Sequence, residues 1–571
     1  MRDSSTLLHR LQLWYLDDPE AVAQVFKRTE KNHGDENWQE ITVRAMWLQV
    51  VRIARYLEKS GCKAGDRIAL YAMNSPEIVQ WELGIWLMGG ASMGIHPNVA
   101  ERDLEVILTE SRPKMLLLQS ELFRERISNE VRDGLWVNTF LEASESLIKS
   151  IHEDEASLNL IAKDLLARIN PSAPQLIVFT SGTSGKPKGV ILGLKQISFV
   201  ADCISREWNL PFARGVLFSF LPLSHIAEKI QAMAVAITQR YPVWFNSHYD
   251  QLLLELREVR PTMLLAVPRV WEKLKEQVES RKPKLLRRVM EFERLGAFVE
   301  KIFLSQVKEH LGLDRLTLAV SGAAKLPPSV GRWFEGLGIE IQEIYGMSES
   351  CGLISMTRGK RENWSSVGYP PLGVEIKITP EGEVWFRGDN GFSGYDLDPE
   401  ATEQVRLDDG WIKTGDLGEW VKNPSGENEL NIIGRNREIL KLSNGRMVAP
   451  IPIENAIKEI SEVSNVCLVG EGHSQVLALI TLREKTLMEY KFVPGAIEGL
   501  AVEDVALKKM FAEKLQLLYH EKKIRERVKF VLLSRDFLVD QKEVTQTQKL
   551  NRNQIQKNFR HFIDLAYEMD F

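Results

Sequence analysis

The segment LIVFTSGTSGKPKGV, residues 176–190, joins a short apolar run to a loop rich in glycine, hydroxyl side chains and lysine. The apolar run has the length and composition of a buried strand, and the loop follows at its carboxyl end. Glycines let backbone N–H groups approach phosphate oxygens, and hydroxyl and ammonium groups add donors and positive charge. The segment therefore predicts a phosphate-binding loop at the end of a strand.

This loop departs from the P-loop pattern G-x-x-x-x-G-K-[ST]. Thr180 stands at the first glycine, and Pro187 replaces the magnesium-binding Ser/Thr after Gly185 and Lys186. A P-loop kinase or GTPase is therefore disfavoured. Because Ser/Gly/Pro clusters are usually plain surface turns, the loop alone does not define the reaction.

Short apolar strands alternate with helical periodicity over most of the first 430 residues, which predicts α/β architecture with largely parallel sheets. Ligands of such sheets bind at the carboxyl ends of the strands. EIVQWELGIWLMGG is predicted to be a helix, and the turn-rich segment 394–420 a smaller β unit. The predicted strands lie in RIALYAMNSP, MLLLQS, LIVFTSG, VLFSFLPLS, MLLAVP and LTLAVSGAA. Near Arg437 the sequence changes to short charged strands and helices, which predicts two domains, residues 1–436 and 437–571.

Composition limits the class of protein. A chain of 571 residues is too long for one core, and a net charge of -5 argues against a general nucleic-acid binder. Four widely spaced cysteines exclude the common zinc patterns and suit a reducing cytosol.

The N-terminus lacks a secretory signal pattern, and the apolar stretch 83–95 is too short to span a bilayer. We expect a cytoplasmic protein, with peripheral contact on the inner membrane face left open. The basic segment 281–303 is interpreted as a solvated helix face rather than a membrane-surface helix.

Three further segments carry polar residues in tight order. EIYGMSES (343–350) combines an aromatic, a glycine, a serine and a glutamate, although a simple strand-to-turn crossing would also fit. Asp416, in a Thr-Gly-Asp turn, suits ribose hydroxyls, but aspartate commonly stabilises turns. Lys549 lies in the polar segment TQTQKLNR, where most lysines are simply solvated.

In their order and spacing, these motifs resemble the adenylate-forming superfamily and, within it, the long-chain fatty acyl-CoA synthetases. LPLSHIAE, VPRVWEKL and YGMSES are especially similar to the bubblegum branch. The resemblance covers essentially the whole chain. Its carriers are TSGTSGKPKGV, LPLSHIAEK, RPTMLLAVPRVWEKL, SGAAKLP, YGMSES, GWIKTGDLG, GRNREILKLSNGRMVAPIPIE and TQTQKLNR. It implies a large N-terminal domain of αβαβα-layered sheets with a β subdomain, and a small mobile α+β C-terminal domain.

The resemblance implies an AMP-forming ligase of fatty acid metabolism. A fatty acid carboxylate would attack the α-phosphorus of ATP, release pyrophosphate and form acyl-AMP, and the thiol of CoA would then take the acyl group and release AMP. Mg²⁺ would accompany ATP. Partners would be the fatty acid and CoA, and no nucleic acid. Acyl chain length and oligomeric state are not readable from the sequence.

Residue roles follow from the same resemblance. Lys549 would bridge the carboxylate and the α-phosphate, Ser348 would bond the α-phosphate, and Glu349 and Thr180 would hold Mg²⁺. The outer phosphates would be held by Thr180, Ser181, Gly182, Thr183, Ser184, Gly185 and Lys186, with Lys188 lending charge. The adenine would stack on Tyr345 and be lined by Gly322, Ala323, Ala324, Glu343, Ile344 and Gly346, and the ribose would bond Asp416 and Arg435.

For the second step, the C-terminal domain would rotate about Arg437 and bring the hairpin around Lys441 and Gly445 beside pantetheine. His225 would assist the thiol or gate the acyl pocket, and a merely packed or solvated histidine is an equal alternative.

The sequence departs from the family in three places. Gly193-Leu194-Lys195 stands where Thr-His is common, Arg437 replaces the usual hinge residue, and TQTQKLNR holds unusual polar residues around Lys549. Two other functions remain open. An acyl-AMP ligase serving a carrier protein would usually carry an inserted segment, and none is visible. A catalytically inactive binding module would usually have lost Lys549 or Glu349, and both are present.

Overall fold

The structure is a computed structural model that describes residues 6–27, 37–181, 186–281, 297–490, 504–521, 523–544 and 550–568. The strands are β1 (Val22–Lys27), β2 (Trp38–Thr42), β3 (Arg67–Tyr71), β4 (Ala91–Ile95), β5 (Met115–Leu118), β6 (Trp136–Thr139), β7 (Leu176–Ser181), β8 (Pro187–Leu192), β9 (Leu217–Ser219), β10 (Val243–Phe245), β11 (Met263–Ala266), β12 (Leu318–Ser321), β13 (Ile341–Tyr345), β14 (Ser355–Met356), β15 (Val374–Ile378), β16 (Glu383–Gly388), β17 (Gly394–Tyr395), β18 (Ile412–Lys422), β19 (Asn428–Arg435), β20 (Leu440–Lys441), β21 (Met447–Val448), β22 (Val463–Val469), β23 (Val476–Leu482) and β24 (Val528–Leu533).

The longer helices, of seven residues or more, separate these strands. They are Leu7–Asp17, Val43–Lys59, Pro76–Met88, Glu101–Ser111, Phe140–Ser150, Glu155–Ala167, Leu194–Glu207, Leu252–Val259, Pro268–Arg281, Ala297–Leu311, Pro328–Gly336, Pro399–Val405, Pro450–Lys458, Val505–His520, Arg552–Asn558 and Arg560–Glu568. Shorter helices are Glu121–Glu125, Asn129–Arg132, Ile226–Lys229, Ala236–Gln239 and Glu484–Glu489.

Two large sheets form the N-terminal part. One has the order β17-β8-β7-β4-β3-β5-β6 and the other β14-β13-β12-β11-β9-β10-β1-β2. Their central strands are parallel, and antiparallel strands lie at the edges. The predicted α/β class is confirmed, and the six predicted strands are β3, β5, β7, β9, β11 and β12. The predicted smaller β unit is the antiparallel sheet β15-β16-β18-β19, joined by β17 at the edge of the seven-stranded sheet.

The helix Pro76–Met88, predicted from EIVQWELGIWLMGG, lies in the layer between the two large sheets, where it contacts both β4 and β1. Ser75 caps its N-terminus and Gly89, at φ 87°, ends it. Every residue of this helix except Glu77 is buried, including the charged Glu82. A helix that is apolar all round is expected in such a layer. Within the described residues, no helix has the length and apolar character needed to cross a membrane.

The C-terminal part builds its own apolar clusters. The sheet β22-β23-β24 packs with the helices Pro450–Lys458 and Val505–His520 on one side, and with residues of the last two helices on the other. A two-stranded hairpin, β20-β21, precedes it. Arg483 of this part donates to Glu276 of the helix Pro268–Arg281 at 2.8 Å. Of the basic segment 281–303, residues 282–296 lie outside the described residues.

An ion pair inside the N-terminal core offers a test of this architecture. Lys229 lies 2.5 Å and 2.6 Å from the two carboxylate oxygens of Glu82, and both side chains are 3% exposed or less. Breaking a buried pair by removing one partner costs about 3–5 kcal/mol. We expect Lys229→Met to lower the free energy of unfolding by that order in urea denaturation followed by tryptophan fluorescence.

The matched control is Lys195→Met. Lys195 lies 3.0 Å from Asp389, with both side chains about half exposed, and such surface pairs contribute little. Equal losses in the two variants would contradict the importance of the buried pair.

Candidate functional site

The predicted phosphate loop connects two antiparallel strands. β7 and β8 pair with Thr180 opposite Lys188 and Ser181 opposite Pro187. The Thr180 hydroxyl donates to the Lys188 carbonyl at 3.5 Å. Lys186, just after the loop, reaches Glu110 at 3.2 Å on the exposed surface. The predicted ligands Gly182, Thr183, Ser184 and Gly185, and the side chain of Ser181, lie outside the described residues.

Tyr395 joins the phosphate-loop hairpin to Glu349. It lies on β17, which pairs with β8, so Tyr395 stands opposite Val190. Its hydroxyl donates to Glu349 Oε1 at 2.7 Å, and the Lys188 ammonium lies 4.9 Å from its ring centroid. Lys188 is also 3.9 Å from Asp398. Tyr395 was not among the predicted site residues, because its contact with Glu349 depends on the pairing of β17 with β8.

Glu349 lies in a short 3₁₀ turn with Ser348, and both residues are buried. Burial raises the pKa of Glu349, while the Tyr395 hydroxyl and the Arg435 guanidinium act in the opposite direction. A bound cation would favour the ionised form of Glu349 in the same way.

The ribose-site candidates come together through sheet register. Asp416 on β18 lies directly opposite Arg435 on β19, and its carboxylate is 3.3 Å from Arg435 Nε. The Tyr345 hydroxyl donates to the other carboxylate oxygen of Asp416 at 2.7 Å. Burial, and secondarily Asp416, raise the pKa of Tyr345 well above its ordinary value. A carboxylate held between a phenol and a guanidinium can still accept hydrogen bonds from a diol.

The adenine-site candidates form a crowded backbone surface. Ala323 adopts φ 66°, and a Cβ on Gly322 would lie 2.9 Å from the Ile344 side chain. A Cβ on Gly346 would lie 2.3 Å from the Gly352 carbonyl, so glycine is required there by close packing. Ala323 and Ala324 are exposed, as a loop that receives a ligand must be.

Glu343 has two partners of its own in the structure. This carboxylate is 2% exposed, pairs with Arg361 at 2.7 Å and accepts from the Leu326 amide at 2.9 Å. It therefore supports the 322–326 loop, and its contribution to the adenine site stays a prediction. Sequence reasoning did not find the pair with Arg361 because Arg361 lies outside the motif.

His225 precedes the helix Ile226–Lys229 and lies beside a second histidine, His96, at the end of β4. Burial and the nearby His225 lower the pKa of His96 to about 4, so His96 is neutral at physiological pH. Ile226 approaches Gly352, one turn after Glu349. His225 thus lies near the predicted site, and its role remains a prediction.

The C-terminal candidates are only partly described. Arg437 lies in a 3₁₀ turn directly after β19, where burial and the neighbouring Arg435 lower its pKa. Lys441 is exposed on the hairpin β20-β21, and Gly445 turns that hairpin at φ 79° with open space around it. Lys549 lies outside the described residues.

A small apolar cavity lies beside the turn that carries Ser348 and Glu349. Its walls come from the helix Leu194–Glu207, the helical segment 226–239, and β11, β12 and β13. At one end it is lined by Ile344, Cys351 and Gly352, which flank the turn that carries Ser348 and Glu349.

The fold is that of a two-part α/β protein in which the β7–β8 hairpin flanks the predicted phosphate loop, and an apolar cavity lies beside the turn that carries Glu349. The chain matches the AMP-binding enzyme family over residues 15–396 and the C-terminal domain of AMP-binding enzymes over residues 437–570. The chain therefore belongs to the AMP-binding enzyme family.

Curated relatives are distant but extend over nearly the whole chain. The long-chain-fatty-acid–CoA ligase ACSBG2 of Xenopus laevis is 26% identical over 96% of this chain and 84% of its own length. The long-chain-fatty-acid–CoA ligase FadD15 of Mycobacterium bovis is 26% identical over 97% of this chain and 96% of its own length.

Solved structures share the fold. The adenylation domain of a carboxylate reductase from Mycobacterium chelonae has a TM-score of 0.75 and 20% identity, covering 100% of this chain and 92% of that chain. ATP-bound MatB from Rhodopseudomonas palustris has a TM-score of 0.71 and 22% identity, covering 98% of this chain and 99% of that chain.

A buried carboxyl group beside the cavity gives a pH-dependent prediction. Glu228 is fully buried, and desolvation raises its pKa from 4.5 to about 8. The folded protein therefore holds a proton that the unfolded chain releases, so this group favours folding below pH 4.5 and the stability is lost as pH rises to about 8. We expect Glu228→Gln to be more stable than the wild type at pH 8, with the difference disappearing towards pH 4.5.

Thermal unfolding between pH 4.5 and 8 measures this difference. At about 1.4 kcal/mol per pKa unit, it should reach several kcal/mol. Glu403→Gln, at an exposed position, controls for the loss of one charge. A difference that stays constant across the pH range would contradict a raised pKa at Glu228.

Proposed function

We propose that the protein is an ATP-dependent long-chain fatty acid–CoA ligase that forms AMP. The observation that carries this proposal is the apolar cavity ending at Cys351 and Gly352, beside the Tyr395–Glu349 hydrogen bond that ties the phosphate-loop hairpin to the predicted cation ligand. Such a site can hold a polyphosphate next to the polar end of an apolar chain. The relatives named as long-chain-fatty-acid–CoA ligases support this choice of acid and acceptor.

In the first step, the fatty acid carboxylate would approach the α-phosphate of ATP. Because both groups are negatively charged, catalysis depends on positioning and charge neutralisation. Asp416 and Arg435 would hold the ribose, Tyr345 and the 322–324 loop would hold the adenine, and Ser348 would bond the α-phosphate. Lys186 and Lys188 stand at the phosphate loop and would add positive charge. Lys549 would bring a cation to the attacking carboxylate and the α-phosphate, which is the reason to expect a large effect from its removal.

Glu349 is the carboxyl group that would hold a divalent cation. It is buried and accepts from the Tyr395 hydroxyl, and Thr180 lies on β7, in the hairpin whose other strand, β8, pairs with the strand that carries Tyr395. Hard cations such as Mg²⁺ prefer oxygen ligands and usually bind through one or two protein groups together with phosphates. When bound, Mg²⁺ would neutralise phosphate charge, and Glu349 would anchor it.

In the second step, the acyl group passes to the thiol of CoA. We propose that the domains divide at 436/437 and that Arg437 is the hinge. Two features support this division: the C-terminal apolar clusters draw only on residues from Leu440 onwards, and Arg437 lies in a turn between β19 and the hairpin β20-β21. Rotation would exchange Lys549 for the Lys441–Gly445 hairpin, and His225 would lie at the acyl site. Four buried free cysteines suit a cytoplasmic location.

Lys549→Ala separates the two half-reactions. We expect adenylate formation, measured as pyrophosphate release, to fall about 10²-fold or more because a preorganised cation at the reacting oxygens is lost. Preformed acyl-AMP and CoA should still yield thioester. Lys557→Ala, at an exposed position of the same domain, is the control. Equal loss of both half-reactions would contradict this division of labour.

A series of fatty acids of increasing chain length tests the proposed function directly. Pyrophosphate release should rise with chain length, because each added methylene buried in the cavity contributes about 0.8 kcal/mol until the cavity is full. Thioester should form in equal amount when CoA is present. Pyrophosphate release without thioester would favour an acyl-AMP ligase for a carrier protein, and no turnover with any acid would favour a binding module.

A further inference from the structure

The side chain of Gln231 brings an amide group to the wall of the otherwise apolar cavity. Its side chain lines the cavity and is 2% exposed. The amide Nε2 donates to the Phe218 carbonyl on β9 at 3.4 Å, at the long end of hydrogen-bond distances. Within the part of the chain that the structure describes, Gln231 Oε1 has no hydrogen-bond partner. The remaining wall is formed by hydrocarbon side chains such as Val200, Ile204 and Leu265, together with backbone and a thiol.

An unpaired acceptor in such a place carries a cost. Leaving a buried polar atom unsatisfied costs about 1–3 kcal/mol, and most buried side-chain polar atoms in native proteins are paired. Gln231 also lies in a π-helical segment, Ile230–Val235, and π-helical turns occur frequently at functional sites. A leucine would fill this position without the cost, so the amide oxygen points to a ligand that donates a hydrogen bond.

We propose that the acyl cavity binds a long-chain fatty acid that carries a hydroxyl group along its chain, with Gln231 Oε1 accepting the hydrogen bond from that hydroxyl. This inference rests on the proposed function, since it names the kind of acid that the same cavity selects. It adds a specificity-determining residue that takes no part in the chemistry of the carboxylate.

The geometry favours a hydroxyl over an oxo group. The unpaired atom of Gln231 is an acceptor, and a ketone offers only another acceptor, whereas a hydroxyl can donate. A hydroxyl buried against the hydrocarbon part of the wall would instead lose its hydrogen bonds to water. Only a hydroxyl at the carbon that passes Gln231 should therefore be favoured.

The first experiment uses the wild-type chain and a set of monohydroxy hexadecanoic acids that differ only in hydroxyl position. Each is compared with hexadecanoic acid and with the matching oxo acid. The readouts are kcat/KM for pyrophosphate release and, without ATP, displacement of a fluorescent fatty acid. We expect one hydroxyl position to be preferred over its neighbours, over the oxo acid and over the unsubstituted acid in both readouts.

The second experiment replaces the acceptor. In Gln231→Leu, the preference for that hydroxy acid over hexadecanoic acid should fall about 5- to 150-fold, which corresponds to about 1–3 kcal/mol. Ile230→Leu, a volume-conserving change on the same cavity wall, should change the values for both acids together and leave their ratio intact. Gln231→Met provides a second variant if Gln231→Leu folds poorly, as judged by thermal unfolding.

Two results would overturn the inference: equal constants for all hydroxyl positions in the wild type, or an unchanged preference in the Gln231 variants. Either would mean that a buried water or the Glu228 carboxyl group satisfies Gln231. Failure of the proposed function is distinguishable, because it would abolish turnover of every acid while the displacement assay still reports the hydroxyl preference.

Discussion

The buried ion pair between Lys229 and Glu82 holds the two large sheets and the cavity in one arrangement. Glu82 lies on the apolar helix between the sheets, and Lys229 ends the helix that precedes the π-helical segment. A buried charge without its partner would be costly, so the two helices must keep their relative position. Gly94 on β4 lies close to this pair, since a Cβ there would lie 3.2 Å from Ser224 and 3.6 Å from the Lys229 ammonium. Gln231, two residues after Lys229, donates to the Phe218 carbonyl on β9.

A second constraint, strand register, assembles the polar half of the site. The pairing of β18 with β19 puts Asp416 opposite Arg435, and the pairing of β17 with β8 puts Tyr395 beside the phosphate-loop hairpin. Because a slip by one residue would turn these side chains to the other face, the register decides whether the site exists. Glu349 receives its hydroxyl partner only through this arrangement.

Polar residues of the same motif thus serve different purposes. In EIYGMSES, Glu343 supports the 322–326 loop through Arg361 and the Leu326 amide, while Tyr345 bonds Asp416 and Glu349 bonds Tyr395. Glu343 and Tyr345 lie two residues apart on β13 and therefore share one face of the strand. They differ because their partners, Arg361 and Asp416, come from different segments distant in the chain.

The sequence by itself determined the alternation of strands and helices, the strand before the phosphate loop, and the order of motifs that identifies the family. These are short-range properties: hydrophobic period, turn residues and glycine requirements are read within a few residues of chain. Only the tertiary structure decided that Tyr395 binds Glu349, that Glu343 pairs with Arg361, and that Gln231, whose oxygen is unpaired among the described residues, lines the cavity. Those contacts join segments distant in the chain, and sheet order and register, which no local pattern specifies, bring them together.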